Sequence, residues 1–189
     1  MSQPSKTIIN GWINLDKEVG ITSTKALNKL KKILNVKKAG HAGTLDPLAS
    51  GCLPVALGEA TKTIQYAQDR LKIYEFEISW GESRTTDDLE GETIYTSEKR
   101  PDKRDLEEII PDFTGTILQT PPQFAAVKVD GKRAYDIARS GQHADIKPRE
   151  AFIESLEILK HNREKTLMTA MCGKGVYIRA IARDVGERL

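Results

Sequence analysis

Between Ile73 and Trp80 the chain alternates strictly. Tyr74, Phe76, Ile78 and Trp80 point one way; Glu75, Glu77 and Ser79 point the other. Period two predicts a strand with one buried face. Apolar runs predict further strands at 7–15, 124–129, 152–159 and 166–172, with a short apolar segment at 52–57. The first of these is expected to end at Asp16-Lys17-Glu18. Helical spacing governs two other stretches. Ala26, Leu27, Leu30, Ile33 and Leu34 form an apolar stripe behind a Thr22 or Ser23 cap, in a helix reaching Asn35. Ile178, Ile181, Ala182, Val185 and Leu189 form a second stripe, on a last helix that starts near Tyr177. Shorter helices are expected at 60–68, from an Asp102 cap to Pro111, and at 133–140 before Gly141. Residues 81–91 read as a polar loop, Thr120-Pro121-Pro122 as a break, and Asp130-Gly131 as a turn.

Composition narrows the class. A chain of 189 residues with 39% hydrophobic and 30% charged positions fits one mixed α and β domain. No apolar stretch approaches a bilayer span, and residues 1–6 lack the apolar core of a signal peptide, so no membrane partner and a cytoplasmic location are expected. Cys52 and Cys172 sit in apolar neighbourhoods and read as buried free thiols. Three histidines without a C-x-x-C or H-x-x-x-H pair argue against a protein-held zinc site. Gly58 to Thr63 lacks the Gly-Lys-Ser/Thr adjacency of a phosphate loop, and Gly173-Lys174-Gly175 lacks the third glycine of a dinucleotide fingerprint. No metal and no cofactor are therefore expected. Net charge is only +2, but basic residues gather at 25–38 and at Lys128, Lys132, Arg133, Arg139, Lys147 and Arg149, while acids gather at 75–112. That asymmetry fits a nucleic-acid face with a solvated back, and equally fits surface patchiness.

The segment from Lys37 to Gly51 is chemically the most specific. Asp46 is the only acidic residue between Glu18 and Glu59, an interval that also holds six lysines and His41. A lone carboxylate in a basic field suits an anionic ligand whose reactive group is held at the acid; the cations attract the ligand and favour the charged form of the acid. The glycines and Pro47 make a shaped loop, where functional residues are often displayed. A polar turn beside a lysine-rich helix would have the same composition.

Four blocks, in order and spanning nearly the whole chain, resemble the TruB family of tRNA pseudouridine synthases. They are Gly11-Trp12-Ile13-Asn14-Leu15-Asp16-Lys17 with Gly20 and Ser23; Gly40-His41-Ala42-Gly43-Thr44-Leu45-Asp46-Pro47-Leu48-Ala49-Ser50-Gly51, continuing through Leu57 to Lys62; Gln119-Thr120-Pro121-Pro122-Gln123-Phe124-Ala125-Ala126-Val127-Lys128 with 131–139; and Cys172-Gly173-Lys174-Gly175-Val176-Tyr177-Ile178-Arg179. The resemblance implies an α+β pseudouridine synthase fold, a mixed and mainly antiparallel sheet flanked by helices. It implies an isomerase that converts uridine 55 in the T loop of tRNA to pseudouridine without metal or cofactor. The base is detached from N1, turned and reattached through C5. Position by position, Asp46 matches the catalytic aspartate, Tyr74 the aromatic that stacks on the flipped uracil, Lys62 an active-site lysine, Tyr177 a pocket-lining tyrosine, and Arg179 the arginine that pairs with the aspartate. His41 matches a histidine that enters the T loop when the target base leaves. Lys31, Lys32, Lys128, Lys132 and Arg133 are candidates for the RNA backbone, the last three on a clamping insertion near 120–150. The expected partner is the T arm of tRNA, bound by a monomer.

The match has departures. Thr85 stands where the family has the first acid of its Thr-Asp-Thr motif, Asp88 keeps the second aspartate, and Gly173 replaces a serine. The family's catalytic domain continues beyond the position of Leu189 and is usually followed by a small PUA-like RNA-binding domain, so residues 1–189 are expected to be an incomplete catalytic domain, weakly active or inactive. Two alternatives stay open at this level: a non-catalytic tRNA-binding or folding protein of the same fold, and a guide-RNA-directed relative acting on ribosomal RNA.

Overall fold

The computed structural model describes residues 5–189, which fall into two compact units, the first ending at Arg70 and the second running over Leu71–Leu189. In the first unit, strands β1 (Gly11–Lys17), β2 (Ala39–His41) and β3 (Gly51–Leu57) pair antiparallel in the order β1-β3-β2. Helix α1 (Ser23–Ile33) starts at Thr22, whose hydroxyl accepts from the Lys25 backbone N–H, satisfying one of the free donors of the first turn. Helix α2 (Ile64–Gln68) follows a 3-10 turn over Gly58–Thr63. Gly58 has φ +55°, and a Cβ there would lie 2.4 Å from the Ile9 carbonyl oxygen, so only glycine fits. The unit's core is Ala26, Val36, Leu53, Val55 and Leu57, with Ile13, Leu15, Leu27 and Leu30 packed against it.

Three sequence expectations are corrected here. The first strand begins at Gly11 rather than Thr7 and runs on through Asp16 and Lys17. Lys17 belongs to the strand because its side chain turns inward, where its ammonium donates to the carbonyls of Glu18 (2.9 Å) and Ile21 (2.8 Å). Ile33, assigned to the buried stripe, is 78% exposed at the last position of α1. Cys52 is exposed, whereas Cys172 is buried; both are free. Period two puts Cys52 on the face opposite Leu53, Val55 and Leu57.

The two thiols should therefore react very differently. Burial pushes the Cys172 thiol up to about 11, and the thiolate is the nucleophile. An alkylating reagent is expected to label Cys52 quickly and Cys172 only on unfolding, as read by mass spectrometry of the folded chain. Equal labelling rates would show that the face carrying Cys172 is open.

The second unit is built on strands β4 (Lys72–Ser79), β5 (Glu82–Arg84) and β6 (Thr93–Thr96), helix α3 (Lys103–Ile109), strands β7 (Gly115–Gln119), β8 (Lys128–Val129) and β9 (Lys132–Arg133), helix α4 (Ala134–Arg139), strands β10 (Arg149–His161) and β11 (Lys165–Cys172), and helix α5 (Ile178–Arg188). The main sheet has the antiparallel order β4-β11-β10-β7. Its inner face carries Ile78, Ile153, Leu156, Met168, Ala170 and Cys172, packed with Leu106 of α3 and Ile181 and Val185 of α5. The alternation from Ile73 to Trp80 holds: Ile78 and Trp80 are buried, Tyr74 and Phe76 partly so. A smaller core of Ala125, Val127, Ala134, Ala144 and Ile146 lies within 120–150.

Here too the pattern was incomplete. The 81–91 loop is framed by the β5–β6 hairpin, and β7 forms a sheet edge that the five-residue run Gly115–Gln119 did not announce. Of the strand expected at 124–129, only Lys128 and Val129 pair. The Ala125 and Val127 carbonyls instead accept from the N–H groups of Tyr135 (3.1 Å) and Ala134 (2.8 Å) at the start of α4. Asp130-Gly131 does make the β8–β9 turn, with φ of +49° and +81° as a type I′ turn demands. All named strand pairs are antiparallel, so the α+β class stands.

Candidate active site

The Asp46 loop is held by its main chain on both sides. The buried Ser23 hydroxyl donates to the Leu45 carbonyl (3.0 Å) and accepts from the Leu45 N–H (2.9 Å). On the other side the Gly20 N–H donates to the Pro47 carbonyl (2.7 Å), and the Ala49 N–H closes a turn on the Asp46 carbonyl (3.0 Å). The loop backbone is thus pinned at positions 45 and 47, and the half-buried Asp46 side chain lies between two fixed points. The residues of the second block serve this geometry: Gly43 adopts φ +140°, and the His41 ring contacts the Gly43 carbonyl through Nδ1.

Lys17 is the charged group that sequence reasoning overlooked in this unit. It is 1% exposed. Burial pulls its ammonium below the usual lysine range, and the charge of Asp46 acts in the opposite direction. A buried cation beside the loop complements a carboxylate there. Its signal was present in the sequence as the one lysine at an inward position of β1. Lys62 is well exposed and pairs with Glu59, three residues earlier. That pair raises the Lys62 pKa through the hydrogen bond and charge of Glu59, and an exposed pair of this kind adds little stability. Lys31 is half-buried and Lys32 exposed in the last turn of α1.

The remaining candidates belong to the second unit. Tyr74 is half-buried on the inner face of β4, opposite Ala170. Tyr177 is the residue preceding α5 and packs against the small core of 120–150. Its main chain is gripped by the buried side chain of Gln119, whose oxygen accepts from the Tyr177 N–H (2.8 Å) and whose amide donates to the Tyr177 carbonyl (3.2 Å). Arg179 donates to the carbonyls of Thr86 (2.8 Å) and Phe124 (3.3 Å) and lies 3.5 Å from the Asp88 carboxylate. Asp88, the family's retained acid, thus meets Arg179. The 84–91 turn is tight at Gly91, where a Cβ would lie 2.4 Å from the Thr86 hydroxyl. Lys128 and Arg133 face each other across the β8–β9 hairpin with Lys132 beside them, all exposed. Arg139 lies over the Tyr135 ring at 5.4 Å.

Gln119, Asp87 and Arg183 were missed. Arg183 follows Arg179 by one helical turn, which was a readable signal; its partner Asp87 is 96 positions away in the chain and was not. Among the described residues no group of three His, Cys, Asp or Glu side chains is arranged to hold a metal, and no helix is long and apolar enough to cross a membrane.

Residues 31–178 match the model of the TruB family pseudouridylate synthase N-terminal domain. The chain is 52% identical over 181 residues to the tRNA pseudouridine synthase B of Mesorhizobium japonicum, covering 96% of this chain and 56% of that protein. It is 51% identical over 188 residues to that of Agrobacterium fabrum, covering 99% of this chain and 60% of the relative. The chain therefore spans somewhat over half the length of these curated relatives. Among solved structures, Cbf5 complexed with Nop10 and Gar1 superposes with a TM-score of 0.71 at 31% identity, over 95% of this chain and 44% of the other. An H/ACA RNP bound to a substrate RNA containing 2'-deoxyuridine gives 0.68 at 27% identity, over 95% and 43%. The family model covers well over half of the chain, and the curated relatives agree with it; the chain belongs to the TruB family of pseudouridylate synthases.

Proposed function

We propose that the chain isomerises uridine 55 in the T loop of tRNA to pseudouridine, acting as a monomer in the cytoplasm. The observation that carries this reading is the setting of Asp46: one carboxylate between two pinned backbone positions, in a segment whose other charged groups are cationic. Identity near 52% to proteins named tRNA pseudouridine synthase B favours tRNA as the substrate, since the Cbf5 complex and the H/ACA RNP stand at 31% and 27%.

The chemistry follows from the groups. A uridine inside a folded loop must first leave its stack, at a cost of a few kcal/mol. Stacking on the aromatic face of Tyr74 returns about 1–3 kcal/mol. His41 enters the T loop in place of the base. Asp46 acts as nucleophile or base: the N1–C1′ bond breaks, the uracil turns, C5 bonds to C1′, and the C5 proton is lost while N1 gains one. Arg179, Tyr177 and Lys62 take the roles that the family resemblance assigns them. No electrons are transferred, so the reaction balances without a cofactor. Lys31, Lys32, Lys128, Lys132 and Arg133 hold phosphates, with 120–150 acting as the RNA clamp; folded RNA is recognised largely by shape and backbone.

The deciding experiment incubates the chain with unmodified tRNA transcript and maps pseudouridine base by base. Product at position 55 alone is expected; product elsewhere, or binding without product, would replace this reading with a different substrate or a non-catalytic binder. Affinity for the same transcript should fall steeply with salt, because each neutralised phosphate contributes roughly 0.7–0.9 to the log–log slope. Replacing Lys31 and Lys32 with alanine is expected to flatten that slope by about 1–2 in filter binding. An unchanged slope would put the RNA on another face.

A further inference from the structure

We propose that Arg183 is a positioning residue: it braces the two backbone segments on which Arg179 is anchored, and so sets Arg179 for the reaction proposed above, on which this inference rests. The geometry is a repeated motif one helical turn apart. Arg179 holds the Thr86 carbonyl in the 84–91 turn and the Phe124 carbonyl at the root of the 120–150 segment. Arg183 holds the same two segments at neighbouring points. Its Nη1 donates to the Asp87 carboxylate (2.9 Å) and its Nη2 to the Thr120 carbonyl (2.7 Å). Asp184 fixes the third side of the guanidinium, accepting from Nε at 2.8 Å.

The brace is poorly exposed. Arg183 and Asp87 side chains are 19% and 15% accessible, and Asp87 adopts φ +56°, a left-handed conformation that aspartate tolerates and most residues avoid. A guanidinium presents its donors in a rigid planar fork, which suits simultaneous capture of a carboxylate and a carbonyl. Losing one such point lets both segments drift. Displacement of a positioned group by about 1 Å costs on the order of 100-fold in rate.

The brace also predicts a titration. Asp87 faces Arg183, Arg179 and Asp184 from α5 and has Asp88 as its chain neighbour. Burial pushes the Asp87 carboxyl up; Arg183, then Arg179, pull it down, and Asp184 adds to the rise. Removing Arg183 takes away the main opposing influence, so the carboxyl rises further. Above that value an ionised, buried Asp87 has lost its principal cation and is driven outward; below it, the neutral acid can stay.

The test compares wild type, Arg183→Gln and Arg183→Gln with Asp87→Asn, using the full chain. Arg183→Gln is expected to lower kcat for tRNA by about 10–100-fold with KM nearly unchanged. Activity should recover toward acid pH in the single variant, and the double variant should lose that pH dependence. Amide exchange at 84–91 and 119–124 should rise by about tenfold while the β10–β11 ladder is unaltered. Wild-type kcat in Arg183→Gln, a loss whose pH profile ignores Asp87→Asn, or unaltered exchange would each overturn the proposal. If Arg183→Gln does not fold, Arg183→Lys keeps the charge but not the fork. It should show intermediate kcat with a wild-type pH profile, and full activity would overturn the brace. If wild type forms no pseudouridine in any RNA, the family reaction fails for this chain. Exchange then decides the brace by itself: a rise confined to the two segments sustains it, and no rise refutes it.

Discussion

Asp46→Asn is expected to abolish pseudouridine formation while leaving tRNA affinity within a few fold. The substitution should not disturb the loop, because the groups that pin it are main-chain atoms of Leu45, Asp46 and Pro47 bonded to Ser23, Ala49 and Gly20. An asparagine amide has the shape of the carboxylate but is a poor nucleophile and base. Removing the one reacting group of such a site costs at least about 10⁴-fold in kcat. Affinity is carried by phosphate contacts, and these belong to other residues. The measurement pairs base-resolved pseudouridine mapping with filter binding. Substantial product from the variant would remove Asp46 from the chemistry, and lost binding with intact folding would make it a recognition residue instead.

The second large effect concerns stability. Ile181→Ala should destabilise the second unit by about 2–5 kcal/mol, set against a typical total of about 5–15 kcal/mol. Ile181 is fully buried in the cluster that includes Leu106, Ile153 and Met168, so the deleted atoms leave a cavity that the sheet cannot easily close. The two tryptophans permit a clean measurement. Trp80 is buried in the second unit, its indole donating to the Thr166 hydroxyl (2.9 Å), while Trp12 lies on β1 in the first. In a Trp12→Phe background, the urea midpoint read by Trp80 should fall by about 1–3 M, given a slope of about 1–3 kcal/mol per M. Because α5 carries Arg179 and Arg183 and follows Tyr177, activity should fall with the same midpoint. An unmoved midpoint would show that α5 contributes little to this core.

Local pattern accounts for the features that were legible in the chain itself. The alternation of Tyr74, Phe76, Ile78 and Trp80 specified β4 and its inner face, since side-chain direction in a strand changes at every residue. The i, i+3, i+4, i+7 spacing of Ile178, Ile181, Ala182 and Val185 specified α5, and the buried Ile181 and Val185 bear it out. Asp130-Gly131 specified its turn because few residues accept two successive positive φ angles. The family was equally readable, since its motifs are contiguous runs such as Gly40 to Gly51. The catalytic, pocket and RNA-backbone roles carried over from that resemblance remain proposals.

Other features depended on partners that are distant in the chain. The edge strand β7 exists because β10 supplies its hydrogen bonds, from Arg149↔Gln119 to Ile153↔Gly115; five residues alone carry too little periodicity to declare a strand. Cys52 and Cys172 have similar apolar neighbours, yet strand phase exposes one and buries the other. Gln119 meets Tyr177 across 58 positions and Arg183 meets Asp87 across 96. The sequence by itself thus determined the family and the strongly periodic elements such as β4 and α5, because those follow from contiguous motifs and short-range periodicity. Only the tertiary structure decided which buried polar group answers which, because in a low-dielectric interior each must find a partner wherever the fold brings one within hydrogen-bonding distance.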